Sequence, residues 1–155
     1  MGYYLRVFCN SDTVPSVASL QGALHAAAPA LRLHTDDPTD SSHWENAELR
    51  YKDGKEPILI EVNRNDGADS LAAEEIGEFA AEVRALPQSS ATARVLEHLR
   101  ASHYTVCCRL LTDIDDDGFV ANDQLMDYFI LNHDGMVQAD GEGFYDGAEL
   151  LVELK

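Results

Sequence analysis

The stretch Tyr104–Phe129 decides the fold, and it reads YTVCCRLLT, then DIDDDG, then FVANDQLMDYF. In the first part Val106, Cys108 and Leu110 fall at every second position, which is the spacing of a strand with one face buried. The second part is a run of carboxylates that ends at Gly118, and the third has apolar residues at helical spacing. The stretch predicts a central strand, an acidic loop and a helix that continues to about residue 132.

The remainder of the chain supplies elements that can pack around this centre. Alternating and helical apolar patterns predict strands at about 3–9, 30–35, 48–51, 58–62, 136–139 and 150–154, and helices at about 15–28, 71–86 and 91–101. The predicted core follows from the same periods: Leu5, Val7, Leu20, Leu24, Ile58, Ile60, Phe79, Val83, Val106, Cys108, Leu125, Phe129 and Leu151. We therefore expect one α+β domain over residues 1–155, with a mixed, mostly antiparallel sheet and helices packed on it.

Two Asp-Gly pairs, Asp53-Gly54 and Asp146-Gly147, each lie between short apolar runs. Asp-Gly is a strong hairpin signal because tight hairpin turns need residues that accept positive φ. Each pair is predicted to close a tight turn in the sheet.

The two ends of the chain are similar in pattern. Residues 1–64 and 103–155 each predict a strand, a helix, a strand and a hairpin, and residues 65–102 predict two helices inserted between them. One hypothesis is an internal duplication. The alternative is that any two units of this kind resemble each other to this degree.

Composition restricts the class of protein. With 155 residues and 45% apolar residues, the chain can bury a full core without disulfides or a metal. It has three cysteines, an odd number, and two of them, Cys107 and Cys108, are adjacent, which does not fit a disulfide framework. No stretch has the apolar length of a signal-peptide core or a membrane span. These features predict a soluble protein of a reducing cytoplasm.

The formal net charge is −17, and the acidic residues concentrate in the C-terminal part. From residue 110 onward there are twelve acidic residues and one base, Lys155. Such a field repels nucleic acid and anionic membranes, and it attracts a basic protein or a cation. The alternative is that the charge serves solubility alone.

The acidic run has the spacing of a cation-binding loop. Its residues resemble the first half of the calcium loop of an EF-hand, in the order Asp113, Asp115, Asp117, Gly118, Phe119 and Gln124. Gln124 stands where that loop has a bidentate Glu, and the preceding segment is a strand rather than a helix. The resemblance therefore implies weak Ca²⁺ binding through Asp113, Asp115 and Asp117, and otherwise these side chains form a solvated turn. No other cofactor is predicted.

Motifs of catalysis are missing from the sequence. It has no glycine-rich phosphate loop, no C-x-x-C and no H-E-x-x-H, and Cys108 reads as a small core residue. We expect a non-enzymatic binding or regulatory module for a basic protein partner, with contacts from Asp113, Asp115, Asp116, Asp117, Tyr145 and Asp146. The alternatives left open are Ca²⁺ binding at Asp113–Asp117 and an enzyme with an unrecognised site. The oligomeric state is not predicted.

Overall fold

A computed structural model describes residues 2–155. These residues form eight strands and four helices. The strands are β1 (Tyr3–Cys9), β2 (Arg32–His34), β3 (Asn46–Arg50), β4 (Ile58–Arg64), β5 (Tyr104–Leu110), β6 (Gly135–Ala139), β7 (Gly143–Asp146) and β8 (Glu149–Glu153). The helices are α1 (Val17–Ala27), α2 (Leu71–Arg84), α3 (Ser90–Arg100) and α4 (Asp116–Asn132).

All eight strands belong to one sheet in the order β2-β3-β4-β5-β1-β6-β7-β8. Each pairing among the described residues is antiparallel. The predicted α+β class with helices packed on a sheet is confirmed, and the sheet is wholly antiparallel where a mixed one was allowed. The two strands with the clearest alternation, β5 and β1, pair with each other at the centre of the sheet.

The first face of the sheet carries α1 and α4. α4 packs on β1 and β6, and α1 packs beside α4 and on β2. The core on this face takes every second residue of β5, including Val106 and Cys108, both 0% exposed, together with Leu125 and Phe129 of α4. Burial of alternate residues is expected where a helix covers one face of a strand.

The second face carries α2 and α3, which pack against each other. Its smaller core contains Phe8, Phe144 and Val152 from the sheet and Val83 and Val95 from the helices. The aromatic rings of Phe8, Phe79 and Phe144 meet with centroids 5.7–6.0 Å apart. Most of the predicted core residues are fully buried, while Leu5, Phe79 and Leu151 are partly buried against the two clusters.

A charged contact ties the second-face helices to the sheet. Arg6 of β1 donates to Glu75 of α2, at 2.7 Å, and to Gln138 and Asp140 at 2.9 and 2.7 Å. The side chains of Arg6 and Glu75 are each 15% exposed. A half-buried arginine needs such partners because an unpaired charge there is costly.

The two helical layers are offset along the sheet. On the second face the helices leave β3 and parts of β4 and β5 uncovered, and a concave area there contains Tyr4, Leu59, Glu61, Cys107 and Arg109. On the first face α1 and α4 leave β7 and β8 uncovered, since α4 lies over β1 and β6. Each face therefore has one open half, at opposite ends of the sheet.

Both predicted hairpins are present. Gly54 has φ +81° and Gly147 has φ +57°, which are positive as expected. The first turn is longer than predicted, since β3 ends at Arg50 and β4 begins at Ile58. In the second, Asp146 pairs with Glu149, so the central turn residues are Gly147 and Ala148.

The strand order does not confirm the proposed duplication. In that hypothesis β1–β4 would correspond to β5–β8. Yet β4 pairs with β5 at the centre, whereas its counterpart β8 is an edge strand. Likewise β6 pairs with β1, whereas its counterpart β2 is the opposite edge.

Candidate partner-binding surface

The acidic run Asp113–Gly118 leads from a short turn at Asp113 into the first turn of α4. The helix begins at Asp116, and Asp115 is its N-cap, with a side-chain oxygen that accepts a hydrogen bond from Gly118 N at 3.1 Å. Aspartate is a preferred N-cap because its carboxylate accepts from an amide that has no partner within the helix. Asp116 and Asp117 lie in the first turn, where the helix dipole favours negative charge. The run is thus explained locally as a helix start.

Two lysines of the β3–β4 hairpin contact this run, and one of them, Lys52, pairs with two of its carboxylates. Lys52 Nζ lies 2.9 Å from Asp115 Oδ2 and 2.7 Å from Asp117 Oδ2. The Lys52 ammonium holds the pKa of Asp115 below its ordinary value, and the Gly118 amide adds to this. Lys55 Nζ donates to the Asp113 carbonyl at 2.8 Å, and the Glu56 amide donates to Asp113 Oδ2 at 3.0 Å.

This arrangement bears on the calcium hypothesis. Two of its three carboxylates, Asp115 and Asp117, already share one cation, the Lys52 ammonium. Gly118 is required by close packing, because a Cβ there would lie 2.4 Å from Ile114 Cγ1 and 2.8 Å from Tyr51 Cζ. Within residues 2–155 no group of three or more His, Cys, Asp or Glu side chains is arranged to hold a metal. Ca²⁺ binding remains a prediction, and the ion would have to displace Lys52.

The other predicted contact residues, Tyr145 and Asp146, lie at the β7–β8 hairpin. Tyr145 OH donates to Glu142 Oε1 at 2.6 Å, and Tyr3 OH also donates to Glu142. These two hydrogen bonds lower the pKa of Glu142. Asp146 forms an ion pair with Arg94 of α3 at 2.8 Å. Tyr145 faces α4, whereas Asp146 is tied to the second-face helices.

A groove runs between the second half of α4 and the open half of the first face. Its volume is about 370 Å³. Met126 and Ile130 form its helix wall, and Val137 and Ala139 of β6 are part of its floor. Leu5 and the turn residues Gly147 and Ala148 complete the apolar lining. Carboxylates of Asp123, Asp127 and Glu142 line the rim.

The rim carboxylates on α4 differ from those at its start. Asp123 and Asp127 are one helical turn apart, and no Lys, Arg or His of residues 2–155 lies within ion-pair distance of either. Partial burial and the neighbouring Asp127 charge raise the pKa of Asp123. Like charges at this spacing cost a few tenths of a kcal/mol, about 0.2–0.5. The groove therefore presents unneutralised negative charge next to apolar surface.

Sequence reasoning missed this pair. The signal was present in the helical spacing, because Asp123 and Asp127 alternate with Met126 and Ile130 and no base lies three or four positions away from either aspartate. The density of carboxylates at Asp113–Asp117 drew attention to the start of the helix instead. Only the fold shows that Lys52, from a distant hairpin, pairs with two carboxylates at the start of the helix.

The open half of the second face bears on the enzyme alternative. Cys107 lies there, and burial raises the pKa of its thiol to about 11, so the thiolate is scarce at neutral pH. The ring nitrogens of His98 are within hydrogen-bond distance of Phe8 O and Asn10 Nδ2. His133 is buried among aromatic rings, and burial lowers its pKa. These side chains have structural surroundings, and no nucleophile–base pair is formed among them.

Comparison of the chain with protein-family models, with curated proteins and with solved structures finds no match in any of the three. None of the four helices described for residues 2–155 combines the length and apolar character needed to cross a membrane. Inference about function therefore depends on the surface itself.

Proposed function

We propose that this protein is a non-enzymatic binding module for a basic protein segment, and that the groove beside α4 is the contact surface. The observation that carries the proposal is the pair Asp123 and Asp127 at the rim of an apolar groove. Among residues 2–155 neither carboxylate has a cation within ion-pair distance, and the pKa of Asp123 is raised. A lysine or arginine from a partner would relieve their repulsion while its neighbouring apolar residues fill the groove.

Long-range charge supports the same class of partner. At a net charge of −17 the protein attracts a basic surface before contact, which raises the association rate at low salt. The same field repels phosphate groups, so we propose that the partner is neither nucleic acid nor an anionic membrane. Asp113, Asp115 and Asp117 contribute to this field, although hairpin contacts already occupy their side chains.

We also propose a cytoplasmic location, supported by the cysteines. Cys9, Cys107 and Cys108 are all free thiols, and Cys9 and Cys108 are buried. Burial raises the pKa of Cys9 to about 12, which makes its thiol unreactive. Three free thiols in a small protein fit a reducing compartment better than a secreted one.

A matched pair of double variants tests the proposed function. Asp123→Asn with Asp127→Asn removes the rim charge, and Glu78→Gln with Glu82→Gln removes the same charge from the exposed face of α2 at the same helical spacing. Immobilised wild-type protein and the α2 variant should retain the same basic protein from a lysate of the source cells. The groove variant should lose it.

The retained partner then gives a kinetic test. Its association rate with wild-type protein should fall as ionic strength rises, because salt screens the steering field. The rim substitutions should weaken that dependence more than the α2 substitutions do. A partner whose association ignores both salt and the rim substitutions would refute the proposal.

A further inference from the structure

The groove occupies the position of a missing helix in the first-face layer. α1 flanks α4 on one side, and on the other side the sheet continues through β7 and β8 without a covering helix. On the opposite face the same end of the sheet is covered, because α3 packs on β8. Tyr145 is only partly buried in the uncovered area, and its cross-strand partner Leu150 is 43% exposed. Sheet faces of this kind are normally covered by a second layer.

We infer that the partner presents a basic amphipathic α-helix, which lies alongside α4 and completes this layer. The inference rests on the proposed function, since it specifies the form of the basic segment. Neighbouring helices in a layer pack with axes about 8–10 Å apart. From Asp123 to Ile130 the helix wall is about 10 Å long, so two turns of a partner helix span it.

The backbone of the groove excludes an added strand. The floor strands β6 and β7 are interior strands, each paired on both sides. Their amides and carbonyls are already used in the sheet, so an extended peptide would find no row of partners there. An occupant of the groove must satisfy its own backbone hydrogen bonds, and a helix does so.

The positions of the charges predict the pattern of the partner helix. Asp123 and Asp127 stand on the α4 rim, and Glu142 stands on the rim formed by the β6–β7 turn. Apolar residues at i, i+3 or i+4, and i+7 would face Met126, Ile130 and the sheet floor. Lys or Arg would flank this stripe on both sides, one set for each rim. A second copy of the chain does not fit, because it also carries a charge of −17.

Three synthetic peptides of identical composition test the inference. Each has about 18 residues of Lys, Leu and Ala, a length near the limit for helices in water. One orders them as an amphipathic helix, one scrambles them, and one alternates Lys and Leu as in a strand. Binding is followed by amide NMR shifts of the labelled protein up to millimolar peptide, and helix formation by circular dichroism. The amphipathic peptide should shift residues of α4, β6 and β7, gain helix, and bind at least about tenfold more tightly than the others.

Two protein variants localise the contact. Ala148 lines the groove in the exposed β7–β8 turn, so Ala148→Arg adds bulk and positive charge without entering the core. Ala26→Arg on the exposed surface of α1 adds the same charge elsewhere. Ala148→Arg should weaken the affinity for the amphipathic peptide by about tenfold or more, and Ala26→Arg should weaken it by much less.

The outcomes separate the two ideas. All three peptides could bind equally while Asp123→Asn with Asp127→Asn still lowers their affinity. In that case the proposed function stands, and the inference that the partner segment is helical is wrong. If the amphipathic peptide shifts no groove residue at millimolar concentration, or ignores Ala148→Arg, the inference is overturned. If binding is also insensitive to the rim aspartates, the proposed function fails with it.

Discussion

The start and the middle of α4 carry the same kind of carboxylate in opposite situations. At the start, Asp115 caps the helix and shares Lys52 with Asp117, and its pKa is lowered. Two turns further on, Asp123 stands beside a like charge at the edge of an apolar groove, and its pKa is raised. The difference teaches that the densest acidic stretch is tied into the fold through Lys52. Asp123 and Asp127 have no such ion pair within residues 2–155, which is why we propose them as the contact site.

The largest loss of stability should come from removing the core contacts of α4, the helix that carries both regions. Phe129 is 0% exposed in the first-face core, so Phe129→Ala should cost about 3–5 kcal/mol of the free energy of unfolding. The control Leu131→Ala, at a side chain that is 81% exposed, should stay within about 0.5 kcal/mol. Urea denaturation measures both. Equal losses would mean that α4 is not held by this core.

The start of α4 should tolerate no added volume. Gly118→Ala places a methyl group against Ile114 and Tyr51 and should cost about 1–3 kcal/mol through overpacking. Gly77→Ala in α2, where no atom lies within 4 Å of an added Cβ, should instead stabilise by about 0.5–1 kcal/mol. A melting temperature that falls for Gly118→Ala and rises for Gly77→Ala would support this prediction. If Gly118→Ala left the stability unchanged, the packing at the start of α4 would be looser than described.

Each acidic region has its own hairpin, and each hairpin has a glycine with positive φ. Gly54, with φ +81°, is in the turn that carries Lys52, and Gly147, with φ +57°, is in the turn that lines the groove. Valine strongly disfavours such φ values, so Gly54→Val and Gly147→Val should each cost about 1 kcal/mol or more. Beyond this stability loss, only Gly147→Val should alter peptide binding at the groove. Unchanged melting temperatures would contradict the turn assignments.

The two aspartates should respond to pH with opposite signs. The lowered pKa of Asp115 means that its contribution to stability is present above its ordinary value of 3.8 and is lost as pH falls through the lower folded value. The raised pKa of Asp123 means that its charge opposes folding at neutral pH and that this cost is relieved in acid. Asp115→Asn should therefore flatten the acid limb of the stability curve, and Asp123→Asn should raise stability at neutral pH. Carboxyl NMR titrations that gave both groups the same pKa would refute the contrast.

The smallest effect concerns calcium at the helix start. Lys52 forms ion pairs with Asp115 and Asp117. Calorimetry of wild-type protein with Ca²⁺ should therefore show no saturable micromolar isotherm. Lys52→Met removes the competing cation and should strengthen any Ca²⁺ binding, while Lys155→Met should not. A micromolar wild-type isotherm abolished by Asp113→Asn with Asp115→Asn would restore the calcium hypothesis.

Much of the fold was predictable because periodicity reports local geometry. The alternation of Tyr3–Cys9 and Tyr104–Leu110 predicted both central strands, and the structure confirms both strands and the burial of Val7, Val106 and Cys108 on their first face. The alternation did not predict that the opposite face of β1 is buried as well, at Phe8. The conformation that follows α4 was not predictable in the same way. Helices commonly end at a glycine with positive φ, but here Asp134 takes the positive φ of 50°. Gly135 begins β6, where a Cβ would lie 2.4 Å from Val7 Cγ1. That contact joins residues far apart in the chain, and no local pattern reveals it.

The amino-acid sequence by itself determined the class of fold, the identity of most core residues and the strong negative charge, because burial periods and composition are local properties. Tertiary structure alone decided which carboxylates are free. Lys52 lies 63 residues from Asp115, and their contact depends on how the β3–β4 hairpin meets the start of α4. The groove likewise exists because the two helical layers are offset along the sheet, and that offset depends on the packing of whole elements rather than on any single segment.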